Sequence, residues 1–407
     1  MAPVQSTSQK NAVLQKHDDD VVIVSAVRSA VTRARKGGFK DTSAEFILAE
    51  ILKAAYTRPG LDPKLIEDIS VGNVLPPGGG AGAARVAALH AGIPVEASVN
   101  TVNRQCSSGL TAINQIANEI RVGQIDIGIG AGVESMSFGY GPGGTGPLDE
   151  AVLVKQSAKD CMLPMGITSE NVAAEFQVPR SVQDKFAAAS FNKAAAAQKA
   201  GKFKDEIVPI ATKIKDPKTG KVVDVVIDSD DGIRDGVTPE SLAKLKPAFI
   251  KEGTTHAGNA SQVSDGAAAV VLARRSVAKR LGLPILGKFV AATSVGVPPH
   301  IMGVGPAYAI PRVLEIANLS LGDIDFFEIN EAFASQAVYS VQKLGVPDEK
   351  VNINGGAIAI GHPLGCTGAR QVATGLGVAR QTGGKTFVTS MCIGSGMGMA
   401  AVFVSEQ

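Results

Sequence analysis

The thiol best placed for chemistry is Cys106, in the stretch NRQCSSG at 103–109. Behind it, Leu110, Ile113, Ile116, Ala117 and Ile120 recur at helical spacing, so the cysteine should stand at a helix N-terminus. Unpaired backbone N–H groups there favour thiolate over thiol and can hold a carbonyl oxygen that turns negative during acyl transfer. A lone cysteine reads equally well as a small buried hydrophobe, so partners must decide. His362 is the first. Of five histidines it alone sits in a glycine-rich turn, GGAIAIGHPLGCTGAR at 355–370, ahead of a helical segment. It is either a satisfied turn residue or a base presented at the C-terminal end of a strand. Cys392 comes directly after the strand-like TFVTS and precedes Gly394, Gly396 and Gly398, which allow a ligand close to free backbone N–H groups. Asn330, in FFEINEAFA, either caps a helix or fixes a water or an oxyanion.

The segments that must position these residues repeat. DVVIVSAVRSAV, SAEFILAEILKAAYTR, LIEDISVGNVL, the Cys106 turn with its helix, and IDIGIGAGVES form one series. LGKFVAATSVGV, PAYAIPRVLEIANL, LGDIDFFEINEAF, the His362 turn with its helix, and KTFVTSMCIGSGMGMAAVFV form another. Strand, helix, strand, Gly-rich turn, helix, strand occurs twice, which predicts two duplicated α/β domains with mostly parallel sheets. The His362 turn is then the counterpart of the Cys106 turn, and both should face one cleft. Residues 137–257 interrupt the series with charged stretches and the glycine cluster GYGPGGTGP, a pattern for a loop domain or lid. The expected organisation is a flexible tail at 1–20, an N-terminal core domain from 21–136 plus 258–284, the loop domain at 137–257, and a C-terminal core domain at 285–407.

Composition excludes several classes. Lys and Arg total 40 against 38 Asp and Glu, with no basic stripe interleaved with aromatics, so nucleic acid is not an expected partner. No apolar run reaches membrane-spanning length, and no membrane partner is expected. The four cysteines match neither zinc-pair spacing nor a disulfide framework, so no metal is expected and a reducing compartment is indicated. GIGAG is not a dinucleotide fingerprint, and GGKT at 383–386 has Ala379 where a phosphate loop needs glycine. Lys10 to His17 resembles an N-terminal peroxisomal address, basic at its first position and His at its eighth. It departs at Asn11 and Asp18, where apolar residues belong. Cytoplasmic and mitochondrial placement are the alternatives.

From about Val21 to Val404 the sequence resembles the thiolases, and within them the degradative peroxisomal 3-ketoacyl-CoA branch. VNRQCSSG, NEAFA, GGAIAIGHPLGCTGAR and CIGSGMG occur in that family's order and spacing. The resemblance implies two pseudo-symmetric αβαβα domains in a five-layer core with a loop domain inserted. It implies Cys106 as acyl-carrying nucleophile, His362 as acceptor of its proton, and Cys392 as the acid/base at the acetyl-CoA carbon. Asn330, through a water, would join His362 in one oxyanion hole, and the amides of Cys106 and Gly394 would form the other. Arg234, Ser241, Phe249 and Ser261 would contact coenzyme A, with Met165 and Phe333 lining the acyl-pantetheine tunnel. Coenzyme A is implied as co-substrate, with no tightly bound cofactor, acyl-CoA substrates as ligands, and a homodimer or tetramer as assembly. Acetoacetyl-CoA-forming thiolases carry a His before the MG pair, where this chain has Pro164. Alternatives are such a biosynthetic thiolase and a non-catalytic acyl-CoA or lipid binding protein. Cys161, in CMLPMG, is either a packing residue or a thiol able to pair with Cys106 on oxidation.

Overall fold

The computed structural model describes the backbone of residues 4–140 and 148–407, and side chains from Gln9 onward. Its strands are β1 (Val21–Arg28), β2 (Thr32–Arg33), β3 (Asp68–Gly72), β4 (Ser98–Val102), β5 (Ile127–Ser135), β6 (Ile210–Lys215), β7 (Val222–Ile227), β8 (Ser264–Arg274), β9 (Gly287–Gly296), β10 (Phe326–Ile329), β11 (Thr386–Ile393) and β12 (Met397–Ser405). The N-terminal half runs β4-β3-β5-β8-β1. The C-terminal half runs β10-β11-β12-β9, and an isolated bridge sets Val351 parallel to Phe327 of β10, where β4 lies beside β3 in the first half. The two orders are the same. The halves meet where Val22 and Ile23 pair with Lys288 and Gly287.

The sheets are mixed, which corrects the expectation of mostly parallel pairing. β3 is parallel to β4 and β5, and β10 to β11. The rest of each half is antiparallel: β8 against β5 and β1, β12 against β11 and β9. A three-residue turn joins β11 to β12 and permits no crossover, so that pair must be antiparallel. In the first half the same step is taken after the long insertion, so sequence proximity gave no sign of it. Cys392 is inside β11 rather than after it.

Helix Ala44–Thr57 covers the outer face of the first sheet and Gly305–Ile316 that of the second. Between the sheets lie Ser108–Arg121, the cysteine helix, and Leu364–Thr382, the histidine helix. Their apolar stripes (Leu110, Ile113, Ile116 and Ile120; Val372 and Leu376) share one cluster with Leu272, Phe387 and Phe403 from both sheets. This makes five layers. The two central helices cross almost backbone to backbone. A Cβ on Gly109 would fall 2.6 Å from the Gly365 carbonyl oxygen, and one on Gly368 would fall 2.3 Å from Leu110 N. Only glycine permits that approach.

The insertion contributes helices Met165–Glu175 and Arg180–Lys199 and the β6–β7 ribbon. Residues 141–147, most of its glycine cluster, lie outside the described residues. Arg28, fully buried at the end of β1, clamps the insertion to the core through Glu206 (2.6 Å) and Asp230 (2.7 Å). Glu206 also accepts from Thr374 of the histidine helix at 3.0 Å. The N-terminal segment is not the free tail expected. Val4–Leu14 is helical, Lys10 pairs with Asp325 at 2.7 Å, and Lys16 pairs with Glu406 at 2.9 Å. Charges that suggest a solvated tail in the sequence instead find partners on the C-terminal half. No helix among the described residues is long and apolar enough to cross a membrane.

Candidate active site

Cys106 lies in a single 3-10 turn, Gln105–Ser107, that leads into the cysteine helix, so its placement at a helix start is as expected. The residue before it, Gln105, has φ +46, a left-handed conformation that costs a side-chain-bearing residue about 1–2 kcal/mol. Its side chain helps to hold the turn, with Gln105 Nε2 donating to Ser395 Oγ at 3.0 Å, while its backbone N–H donates to Asn103 Oδ1 at 2.9 Å. A Cβ on Gly394 would sit 1.9 Å from Gln105 Oε1, so any side chain there would displace the amide that holds the turn.

The expectation of a thiolate at this position needs correction. Burial pushes the Cys106 thiol up to about 11, while the backbone N–H groups of Gly394 and of Cys106 itself pull the other way. The amides are therefore in place, but in the resting protein desolvation outweighs them. Cys106 rests as a thiol.

His362 follows Gly361, whose φ of +118 is open only to glycine, and precedes the histidine helix. Burial and the nearby positive charge of Arg370 push its pKa down to about 3, so the ring is neutral across the physiological range. Its Nδ1 is 2.6 Å from Thr367 Oγ1 and its Nε2 is 3.4 Å from Asn330 Nδ2. Asn330 is 1 % exposed, and its Oδ1 has no hydrogen-bond partner among the described residues. Cys392 is fully buried in a small cluster with Phe333, Ala332 and Met302. Burial raises its pKa well above the usual thiol range, and the neighbouring Cys106 raises it further. Among the described residues no group of His, Cys, Asp and Glu has the arrangement of a metal site.

The other candidates from the sequence divide. Phe249 and Phe333 meet edge to face with ring centroids 6.3 Å apart, and Phe249 packs over Gly166, next to Met165. The Met165 sulfur in turn approaches Gly394, so these residues form a continuous wall leading to the thiols. Ser261 is held at the same place, its N–H donating to Ala332 O at 2.9 Å. Arg234 is exposed, with its guanidinium 5.5 Å from the Phe191 ring centre. Ser241 is exposed too, but its hydroxyl is engaged in a capping box with Thr238. The sulfur of Cys161 faces the carbonyl oxygens of Ser157 (3.3 Å) and Ser395 (3.7 Å), and both Cys161 and Cys106 are free thiols.

Residues 21–276 match the family described as "Thiolase, N-terminal domain", and residues 283–405 match "Thiolase, C-terminal domain". The chain belongs to the thiolase family. It is 58% identical to the peroxisomal 3-ketoacyl-CoA thiolase of Yarrowia lipolytica, over 97% of this chain and 95% of that one. The dimeric peroxisomal thiolase of Saccharomyces cerevisiae superposes with a TM-score of 0.90 at 53% identity, covering 97% of this chain and 100% of the other. An acetyl-CoA acetyltransferase from Bacillus anthracis superposes at 0.85 with 36% identity, over 95% of this chain and 98% of that one.

Two buried carboxylates of this thiolase had no role assigned from the sequence, although Glu331 stands beside Asn330 at a strand end in FFEINEAFA. Glu134, at the end of β5, accepts from the N–H groups of Gly365 (2.9 Å), Val74 (3.1 Å) and Leu75 (3.2 Å), tying the start of the histidine helix to the first half. Burial lifts its pKa to about 7. Glu331 accepts from Ser190 Oγ (2.6 Å), Asn352 Nδ2 (2.7 Å) and Ile358 N (3.2 Å), and so anchors the turn that delivers His362. The signal was a carboxylate at the end of a strand run, after the small and apolar GAGV in GAGVES and directly after Asn330 in FFEINEAF.

Proposed function

We propose that the chain is a 3-ketoacyl-CoA thiolase of fatty-acid β-oxidation, cleaving 3-ketoacyl-CoA with coenzyme A into acetyl-CoA and a shortened acyl-CoA. One observation carries the reading. Equivalent turns of two topologically matched halves, braced by the Gly109–Gly365 contact, deliver a neutral thiol and a neutral imidazole beside a second thiol.

Cys106 gives its proton to His362 Nε2 as its sulfur attacks the C3 ketone, whose oxygen turns to the amides of Cys106 and Gly394. The C2–C3 bond breaks, and its electron pair passes into the enolate of acetyl-CoA. That enolate oxygen is held by protonated His362 and, through a water, by Asn330. Cys392 protonates C2 and becomes a thiolate, which then takes the proton of the incoming coenzyme A thiol. The coenzyme A sulfur attacks the Cys106 thioester, and the departing Cys106 sulfur recovers the proton from His362. Holding both partners neutral until the ketone arrives makes formation of charge part of the chemical step. Coenzyme A is a co-substrate, with Arg234, Ser241, Phe249 and Ser261 along its path and Met165 and Phe333 beside the acyl-pantetheine arm. The core and loop domains carry the boundaries read from the sequence.

The degradative direction is favoured by Pro164, which begins helix Met165–Glu175 where the biosynthetic branch carries His, and by the greater identity to the peroxisomal relatives than to the acetyl-CoA acetyltransferase. Peroxisomal residence follows the same relatives. Assembly is a homodimer through β4, which pairs only with β3 among the described residues and is flanked by exposed Val86, Leu89 and Val95. Thiolysis rates across acetoacetyl-CoA and medium- and long-chain 3-ketoacyl-CoA test the function. Activity confined to acetoacetyl-CoA would replace this reading with the biosynthetic one, and binding without turnover would replace both.

A further inference from the structure

We propose that Thr367 is a positioning residue that fixes the proton of His362 on Nδ1 and leaves Nε2 as the base. The proposal rests on the thiolase chemistry above and adds a residue to it.

Thr367 is fully buried in the first turn of the histidine helix, five residues after His362. Its hydroxyl oxygen lies 2.6 Å from His362 Nδ1 and 3.0 Å from the carbonyl oxygen of Pro363. A hydroxyl has one proton, and a carbonyl can only accept. The Thr367 proton therefore belongs in the contact with Pro363, and the hydroxyl oxygen accepts from His362 Nδ1–H. On the other side of the ring Asn330 Nδ2 lies 3.4 Å from Nε2, a contact whose donor and acceptor follow the tautomer. The opposite tautomer would turn the Thr367 hydroxyl away from Pro363. The Thr367 hydroxyl, committed to the Pro363 carbonyl, thus selects the proton position, and it is the position a base needs in order to take the Cys106 proton at Nε2. The helix itself supplies the geometry: the Pro363 carbonyl also accepts the N–H groups of Cys366 and Thr367, which locks the hydroxyl in register with the ring.

The test compares Thr367→Val, which removes the hydroxyl at nearly constant volume, with Thr367→Ser, which keeps it. Both are assayed for thiolysis alongside nitrogen NMR of histidine-labelled protein, with the His362 signal assigned by its loss in His362→Gln. Wild type should show His362 as the Nδ1–H form. Thr367→Val should lose that form and drop kcat about 10- to 100-fold, a part of the 10^2- to 10^4-fold that a positioned general base supplies, with KM little changed. Thr367→Ser should restore both the tautomer and most of the rate. A wild-type His362 protonated on Nε2, or a folded Thr367→Val with wild-type kcat, overturns the proposal. If Thr367→Val fails to fold, the wild-type tautomer and the Thr367→Ser rate still decide. Absence of thiolysis in wild type would instead overturn the function, and the tautomer measurement would stand apart from it.

Discussion

The cysteine turn and the histidine turn occupy the same place in two halves of one topology, yet they are built differently. The histidine turn uses Gly361 for its left-handed residue, whereas the cysteine turn uses Gln105 and bears the strain. What Gln105 offers in return is a side chain that reaches Ser395 and crowds Gly394, the residue whose N–H approaches the Cys106 sulfur. Burial also acts on the two turns with opposite sign. It lifts the Cys106 thiol to about 11 and depresses the His362 imidazolium to about 3, because in one group the proton removes charge and in the other it creates it. One desolvated layer between two sheets thereby produces an uncharged acid and an uncharged base. The duplication supplied the symmetry, and side-chain chemistry divided the labour.

The largest expected effects break the pair. Cys106→Ser should keep its fold and lose roughly 10^4-fold or more of thiolysis, since a serine hydroxyl is far less acidic and less nucleophilic than the thiol. His362→Gln should lose about 10^2- to 10^4-fold in kcat, the scale of one general base. Equal small losses in both would show that the two turns do not act together.

Gly109→Ala attacks the contact that joins them. Its Cβ would meet the Gly365 carbonyl, so the central helices must separate, at a cost of about 1–3 kcal/mol in urea unfolding. Activity should fall further than stability alone explains. Unchanged midpoint and rate would mean the crossing is not what sets the geometry.

Acid stability isolates the histidine side. Because the folded-state pKa of His362 is depressed from 6.5, the unfolded chain takes up a proton that the folded one refuses as pH falls from about 6.5 toward 3. Stability from this group is present above that window and lost within it. Between pH 7 and pH 5 wild type should lose about 2 kcal/mol relative to His362→Gln. Parallel pH profiles would contradict a buried neutral imidazole.

The smallest effect concerns the strained turn. Gln105→Gly removes the left-handed penalty but adds chain entropy to the unfolded state, so stability should rise by at most about 1 kcal/mol. The looser turn should lower kcat nonetheless. A variant neither more stable nor slower would remove any role for that strain.

Much of the fold was legible because its logic is periodic. The two series of strands and helices, the counterpart turns at Cys106 and His362, and the insertion between them all show in residue order. The antiparallel return of β8 was not legible, since a strand's direction depends on neighbours brought in from beyond a long insertion. The docking of Val4–Leu14 was hidden for a similar reason: Lys10 looks solvated until Asp325 is placed beside it. Within the site, residue types and spacing pointed to Cys106, His362, Cys392 and Asn330. They could not give the protonation state of Cys106, which depends on how completely two sheets exclude water, nor the anchoring by Glu134 and Glu331, which depends on which backbone N–H groups converge.

The most direct test of Cys106 as the acyl carrier is a single turnover. Enzyme mixed with a 3-ketoacyl-CoA in the absence of free coenzyme A, quenched in acid and mapped by peptide mass spectrometry, should carry the shortened acyl group on the peptide containing Cys106. Acetyl-CoA should appear in equal amount. Release of acetyl-CoA with no adduct, or with the acyl group on Cys392 or Cys161, would contradict it.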